Sequence, residues 1–225
     1  MMGSVAAALA EAWETGQPVA PLGAELALTG MAAGEAVAGA VLEKLALEPC
    51  GIRVTQSGLV GAMLPGRIMA SGKPLPLAAL PHGRAAPALL AVLAEAITPE
   101  GTALPALARL HPALDLAASR WRDGPANAWE AAADFAGLGY VVIGKGKPAA
   151  WPANCALALG VARVRAQPVA VQALFEAAVE VAREAGGLPV GAVLVLVLDG
   201  RAVPAALGDV TVRWTGLGTA HAALR

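Results

Sequence analysis

Asp115 is the carboxylate whose surroundings most favour chemistry, because it interrupts the apolar run ALDLAASRW at residues 113–121. A carboxylate in such a run must be paired with a cation, bind a ligand or reach solvent at a cleft. Arg120, in the same run, is its expected partner. Two interpretations stay open, an acid that transfers protons at a binding site and a structural ion pair. The sequence alone favours the ion pair.

The segment GKGK at residues 144–147 is a second candidate, because Lys145 and Lys147 are flanked by glycines and could approach an anion closely. The alternative, which the sequence favours, is an ordinary polar turn after a strand. The three histidines lack metal-ligand spacing. Nucleophile-elbow, Walker A and dinucleotide-binding motifs are absent. Asp115 and the two lysines could transfer a proton or bind an anion, although the sequence favours the structural alternative for each.

The composition limits the partners of the chain. Among its 225 residues, 57% are hydrophobic and only 15% are charged, so we expect part of the surface to be covered in a homo-oligomer or in a hetero-oligomer with a paralogue. The net charge of −1 and the 4% of aromatic residues argue against nucleic-acid binding.

The compartment expected from the sequence is the cytoplasm. The N-terminal stretch lacks a basic region and is interrupted by Glu11 and Glu14, so it does not resemble a signal peptide. No apolar run approaches the roughly 18 residues of a membrane span. Cys50 and Cys155 lie far apart in the chain, and we expect free buried thiols, with a disulfide as the alternative.

The helices and strands that the sequence predicts, and that must position the candidate site residues, indicate an α+β fold. A helical N-terminal segment is expected over residues 1–50, and a β-rich domain over residues 51–225 carries one long helix that Pro168 opens. The expected helices cover residues 4–15, 31–47, 126–135 and 168–187. The expected strands cover residues 51–55, 88–97, 139–144, 156–165, 192–198 and 209–216.

An ordered set of short motifs resembles the 2-keto-4-pentenoate hydratase branch of the fumarylacetoacetate hydrolase superfamily, which includes 4-oxalocrotonate decarboxylases. RAAPALLAVL at 84–93 resembles the family's R-V-E-P-E-I-A-F-V-L, and ALDLAASRW at 113–121 resembles A-L-E-I-V-D-S-R-I. Further segments match in order, namely GIRVTQSG (51–58), LPGRIM (64–69), AADFAGLGYVVIG (132–144) and LGDVTVRWTGLG (207–218). The resemblance implies a mixed β-roll or sandwich core with a helical N-terminal segment and one long C-terminal helix.

In the family that the chain resembles, three carboxylates hold Mg²⁺ or Mn²⁺, which binds a 2-keto acid. The first two positions fall on Ala86 and Ala88, and only the third, Asp115, keeps a carboxylate. One carboxylate does not hold Mg²⁺ against its hydration shell. We therefore expect no metal ligands and no cofactor. The family's active-site lysine falls on Arg53, which stays charged but can bind a carboxylate through two hydrogen bonds.

The resemblance implies two hypotheses about function. The first is a hydratase-like or decarboxylase-like lyase of aromatic catabolism that acts on a small 2-keto or 2-hydroxydienoic acid without the usual metal triad. The second is a non-catalytic homologue that serves as an anion-binding or structural subunit. In the first, Asp115 and Arg53 are the catalytic residues. The ligand that the resemblance implies is a small carboxylate-bearing molecule. The expected substrate-binding residues are Ser119, Arg120, Lys145 and Lys147.

Overall fold

The computed structural model describes residues 2–148, 155–160 and 166–225. Two helices precede a long β-rich region, and a further helix precedes the last strands. The helices are α1 (Met2–Thr15), α2 (Met31–Lys44), α3 (Ala128–Ala133) and α4 (Val171–Glu184). The strands are β1 (Gly51–Thr55), β2 (Val60–Met63), β3 (Ile68–Ala70), β4 (Pro74–Leu75), β5 (Arg84–Leu93), β6 (Leu107–Ala117), β7 (Tyr140–Ile143), β8 (Cys155–Gly160), β9 (Gln167–Val169), β10 (Val193–Val197), β11 (Val203–Pro204), β12 (Gly208–Trp214) and β13 (Gly218–Leu224).

The strands form two sheets. The larger has the order β2-β1-β10-β5-β6-β7-β3, with β11 added to one end of β5, and the smaller has the order β4-β13-β12-β8-β9. The central strands β10 and β5 are apolar along both faces, and both faces are buried. A continuous apolar run is what a strand covered on both sides requires, since both sets of alternating side chains avoid water.

The two faces of the larger sheet belong to two hydrophobic clusters. On one face, Leu89 and Leu114 pack with Val212 and Trp214 of the smaller sheet and with Phe175 of α4. The other face packs against the N-terminal helices through the second cluster. Its members include Leu9, Val37, Ala86, Ala88, Leu90, Ala113, Phe135, Val195 and Val197. The sheet is thus the middle layer of three, and Ala86 and Ala88 face the helices.

The predicted α+β architecture, with its helical start and one long late helix, is confirmed by this structure. The division of the chain at residue 50 stays a prediction. The late helix begins at Val171 rather than at Pro168, because Pro168 lies in β9 and pairs with Ala156. The expected strand over 156–165 is present as far as Gly160, and its remainder lies outside the described residues.

Seven of the strands in the described part of the chain were not predicted, and the longest of them are β6 and β13. The other five are short: β2, β3, β4, β9 and β11. The apolar half of β6 was noted as the apolar segment around Asp115 but was not assigned to a strand. The small residues of β13 carry no strand preference. Both β6 and β13 are central strands whose pairing to long-range neighbours, rather than their own composition, fixes them. No helix in the described part of the chain has the length and apolar character needed to cross a bilayer.

Candidate functional site

A buried ion pair between Arg53 and Asp115 lies on the face of the larger sheet that the helices cover. Ala86 pairs directly with Asp115, and Arg53 pairs with Val195. In the sheet, β10 and β5 lie between β1 and β6, so three strand spacings, about 14 Å, separate the two backbones. The long side chain of Arg53 and the shorter one of Asp115 reach towards each other across β10 and β5 and meet in hydrogen bonds.

The pair is bidentate. Arg53 donates from Nε to Asp115 Oδ1 and from Nη2 to Oδ2, both at 2.7 Å, and from Nη1 to the Ala136 carbonyl at 2.8 Å. Arg53 is 2% exposed and Asp115 1%. Burial on its own lowers the pKa of the guanidinium, but the charge and hydrogen bonds of Asp115, helped by Asp199, raise it above its ordinary value. Arg53 therefore remains a cation.

Alanine at the two expected ligand positions leaves space for this pair. Ala86 lies beside Asp115 on the neighbouring strand, and Ala88 pairs with Ala113 on one side and Val197 on the other. Both alanines are buried on the face that Arg53 crosses. A larger side chain at position 86 would compete with the guanidinium for the same volume, since protein interiors are close-packed.

A cavity of about 280 Å³ opens beside the ion pair. Arg53, Ala86, Asp115 and Ser119 line it, which brings four of the residues singled out in the sequence to one place. The sequence did not single out four other polar residues of this cavity. They are Thr55, His82, Arg84 and Asp199.

The carboxylate of Asp199 is held at the edge of the cavity by Ser57. The Ser57 backbone N–H donates to Oδ1 at 3.2 Å, and the Ser57 hydroxyl donates to Oδ2. Thr55 lies 2.9 Å from the Ser57 hydroxyl and accepts from the backbone N–H of Leu59 at 3.0 Å. Both oxygens of Asp199 thus have a partner, as do both oxygens of Asp115.

A tight turn after α3 supplies the carbonyl that holds the Nη1 end of Arg53. Phe135 and Ala136 have φ angles of 51° and 54°, the left-handed region that non-glycine residues seldom occupy. Gly61, the neighbour of Arg53 on β2, permits this approach, because a Cβ atom there would lie 2.1 Å from the Phe135 carbonyl oxygen. The close contact between the backbone of Gly61 and that of Phe135 therefore holds the turn in place beside Arg53.

Replacing Gly61 by alanine is expected to displace this turn and loosen the Arg53 anchor. The atom that the methyl group meets is backbone, which cannot rotate away, so overpacking should lower the free energy of unfolding by about 1–3 kcal/mol. Urea denaturation measures the loss. Gly66→Ala is the matched control, because a Cβ atom at Gly66 meets nothing within 4 Å. Equal stability of the two variants would contradict the close approach.

The expected pairing of Asp115 with Arg120 is wrong, because Arg53 holds Asp115. Arg120 pairs instead with Asp134: its Nε donates to Oδ1 at 2.6 Å and its backbone N–H to Oδ2 at 2.8 Å. The guanidinium also lies 4.0 Å from the ring centroid of Trp13. Burial raises the pKa of the Asp134 carboxyl, although the charge and hydrogen bonds of Arg120 oppose this shift. Arg120 is not among the residues that line the cavity.

Lys145 and Lys147 also lie away from the cavity. Lys147 pairs through its backbone with Leu110 and donates from Nζ to the Gly216 carbonyl at 3.0 Å. Leu110 is five residues along β6 from Asp115, which corresponds to about 17 Å. This arrangement is that of a polar turn, the alternative that the sequence favours, and the substrate-binding role of the two lysines stays an untested prediction.

The missed cavity residues gave weak signals in the sequence. Arg84 opens β5, two residues before the first alanine of the ligand motif, and His82 lies in the turn just before it. Their nearness to that motif could have identified both. Asp199 and Ser57 are 142 residues apart, and only the parallel pairing of β1 with β10 brings them together.

Solved structures show what this architecture is similar to. The 4-oxalocrotonate decarboxylase from Pseudomonas putida G7, complexed with magnesium and adipate, has a TM-score of 0.77 and 15% identity over 100% of this chain and 97% of its own. The 2-hydroxyhepta-2,4-diene-1,7-dioate isomerase from Mycobacterium marinum has a TM-score of 0.61 and 14% identity over 79% of this chain and 75% of its own. No family model and no curated protein matches the sequence.

The prediction that no cofactor is used is corrected by these comparisons. The decarboxylase is also crystallised with calcium and acetate, and the fumarylpyruvate hydrolase from Pseudomonas aeruginosa with Mn²⁺ and pyruvate. The hydrolase has a TM-score of 0.56 and 15% identity over 76% of this chain and 80% of its own. Divalent metals thus accompany this fold in its solved neighbours, and the expectation of no cofactor does not stand.

The polar residues in the described part of the chain do not reproduce a three-carboxylate metal site. Among the described residues, no group of three His, Cys, Asp or Glu side chains could hold a metal ion. The two alanines carry no ligand atom, and Arg53 already occupies both oxygens of Asp115. The structural likeness over the full chain nevertheless confirms the resemblance found in the motifs. The chain has the fold of the fumarylacetoacetate hydrolase superfamily.

Proposed function

We propose that the cavity beside the Arg53–Asp115 pair binds a small 2-keto or 2-hydroxydienoic acid and that the chain is a hydratase-like lyase. The observation that carries this proposal is that two arginines line the same small cavity. Arg53 is buried and permanently charged, and Arg84 is the second. Solved neighbours with this fold are a decarboxylase, isomerase and hydrolase, and two of them are complexed with adipate or pyruvate.

Two carboxylates, Asp115 and Asp199, balance the two arginines of the cavity in charge, so it is the free N–H donors of the arginines that favour an anion. Arg53 uses three of its five N–H groups for hydrogen bonds to Asp115 and to the Ala136 carbonyl. Nη1 and Nη2 each keep one further N–H, which can donate to an oxygen atom of a ligand. Arg84 is exposed and donates from Nη2 to the Ala202 carbonyl at 2.9 Å, so its charge has no carboxylate partner among the described residues. Hydrogen bonds from guanidinium to carboxylate are among the stronger ones in proteins.

Adipate and pyruvate are the probes that test this proposal by calorimetric titration, with and without Mg²⁺. Replacing Arg84 by methionine is expected to weaken binding roughly 10- to 100-fold, because a hydrogen bond to a charged group contributes about 1.5–3 kcal/mol. Arg109→Met is the control, since Arg109 is an exposed arginine on β6 that does not line the cavity. Wild-type protein that binds neither probe would contradict the proposal.

A second candidate function is a non-catalytic anion-binding subunit of an oligomer. It is favoured by the alanines at positions 86 and 88 and by the full engagement of Asp115 with Arg53. Turnover of 2-hydroxypenta-2,4-dienoate separates the two candidates. Hydration by the wild type that is lost in the Arg84→Met variant supports the lyase, since Arg84 is exposed and its replacement leaves the buried ion pair intact. Binding without turnover supports the subunit.

A further inference from the structure

His82 is a polar residue of the cavity whose ring can both accept and release a proton. Its Nε2 lies 2.7 Å from the carbonyl oxygen of Arg122. A carbonyl oxygen only accepts, so Nε2 must carry the hydrogen. In the neutral imidazole the lone pair then resides on Nδ1, which forms no hydrogen bond within the part of the chain that the structure describes.

The backbone at His82 is held in an unusual conformation. Its φ angle is 54°, a left-handed conformation that few non-glycine residues adopt and that persists only where the surrounding structure holds it. The neighbouring peptides are fixed on both sides: the Gly83 N–H donates to the Leu80 carbonyl at 2.8 Å, and the Ser119 N–H donates to the Pro81 carbonyl at 2.9 Å. The turn therefore ties the histidine to Ser119, another residue of the cavity.

The two carboxylates of the cavity are less suited to proton transfer. Arg53 donates to both oxygens of Asp115, and Ser57 donates to both oxygens of Asp199. Each of these four oxygens is thus already held by a donor of the protein, which leaves it less free to approach a ligand proton. His82 is exposed to solvent, so its ring can exchange protons with water between turnovers.

We propose that His82 is the catalytic residue that moves a proton between solvent and the carbon next to the keto group of the bound acid. This inference rests on the proposed function. Nδ1 takes a proton from C3 of the 2-keto acid, the C3–H electron pair forms the C2–C3 double bond, and the carbonyl electrons move to the C2 oxygen. The imidazolium then returns a proton to C3. Arg53 and Arg84, at the same cavity, stabilise the negative oxygen.

Deuterium exchange tests this assignment. Pyruvate is incubated with the protein in D₂O, and loss of its methyl signal is followed by proton NMR, while adipate binding and the melting temperature are measured on the same samples. The test variant is His82→Asn, because asparagine tolerates the left-handed backbone and has no basic nitrogen. The control is His221→Asn, which removes a histidine on β13, away from the cavity.

Wild type and His221→Asn are expected to exchange the methyl protons faster than buffer. His82→Asn should be slower by about 100-fold or more, with unchanged adipate binding, since acid–base catalysis contributes about 10²–10⁴-fold. Unchanged exchange in His82→Asn, or wild type that binds without exchange, overturns the assignment. Loss of both binding and exchange also overturns it, because His82 would then bind the ligand. A wild type that does not bind refutes the proposed function and this inference with it.

Discussion

Asp115→Asn is expected to lower the free energy of unfolding by about 3–5 kcal/mol, because it leaves the Arg53 guanidinium charged and unpaired beneath the helices. The substitution preserves the volume of the side chain, so the loss measures the charge rather than a cavity. Arginine does not escape the cost by losing its proton, since it stays charged in proteins. Chemical denaturation in urea measures the change.

An exposed carboxylate provides the matched control for this experiment. Asp209 pairs with Arg225 at 3.1 Å, and both side chains are more than half exposed. Asp209→Asn should therefore cost less than about 1 kcal/mol. A similarly small cost for Asp115→Asn would mean that water in the cavity screens the pair, contrary to the burial observed.

The double variant Arg53→Met with Asp115→Leu removes both charges, and its stability shows what the ion pair as a whole contributes. Hydrophobic side chains of similar volume commonly replace a buried ion pair with little or no loss of stability. We expect the double variant to be more stable than Asp115→Asn and to lose affinity for adipate, because one of the two cavity cations is gone. Recovery of stability without loss of binding would exclude Arg53 from the ligand site.

The fold was predictable because its signals are local. Patterns of apolar residues, prolines and glycines indicated the four helices and six of the thirteen strands in the described part of the chain, and the order of the motifs indicated the arrangement. RAAPALLAVL was the informative segment: its continuous apolar character matches β5, which is buried between two layers, and its proline fixed the alignment with Ala86 and Ala88.

The site was only partly predictable because its contacts are distant in sequence. Asp115 and Arg53 were both identified as site residues, but not as partners. They are 62 residues apart in the chain, and only the order of the strands brings them together. Arg120 was assigned to Asp115 because it is near in sequence, whereas the turn after α3 brings Asp134 to it. A charge in an apolar run indicates that a partner exists and does not say which residue it is.

Asp134→Asn is the second substitution expected to cost about 3–5 kcal/mol of unfolding free energy, since it leaves Arg120 as a buried charge without its carboxylate. Asp134 is 1% exposed and accepts from both the side chain and the backbone of Arg120. Asp123→Asn, at an exposed carboxylate nearby, should change stability by less than about 0.5 kcal/mol. Thermal or urea denaturation of the three proteins checks this expectation.

Arg120→Met then distinguishes a structural arginine from a ligand-binding one. Because Arg120 does not line the cavity and its donors are directed to Asp134 and to the Leu138 carbonyl, we expect lower stability and unchanged adipate affinity. Arg84→Met should give the reverse, lower affinity with nearly unchanged stability, because Arg84 is exposed. Weaker adipate binding in a stable Arg120→Met protein would instead support the role that the motif resemblance gives this residue. The two arginines therefore test, in opposite directions, whether the ligand site follows the sequence motif or the cavity.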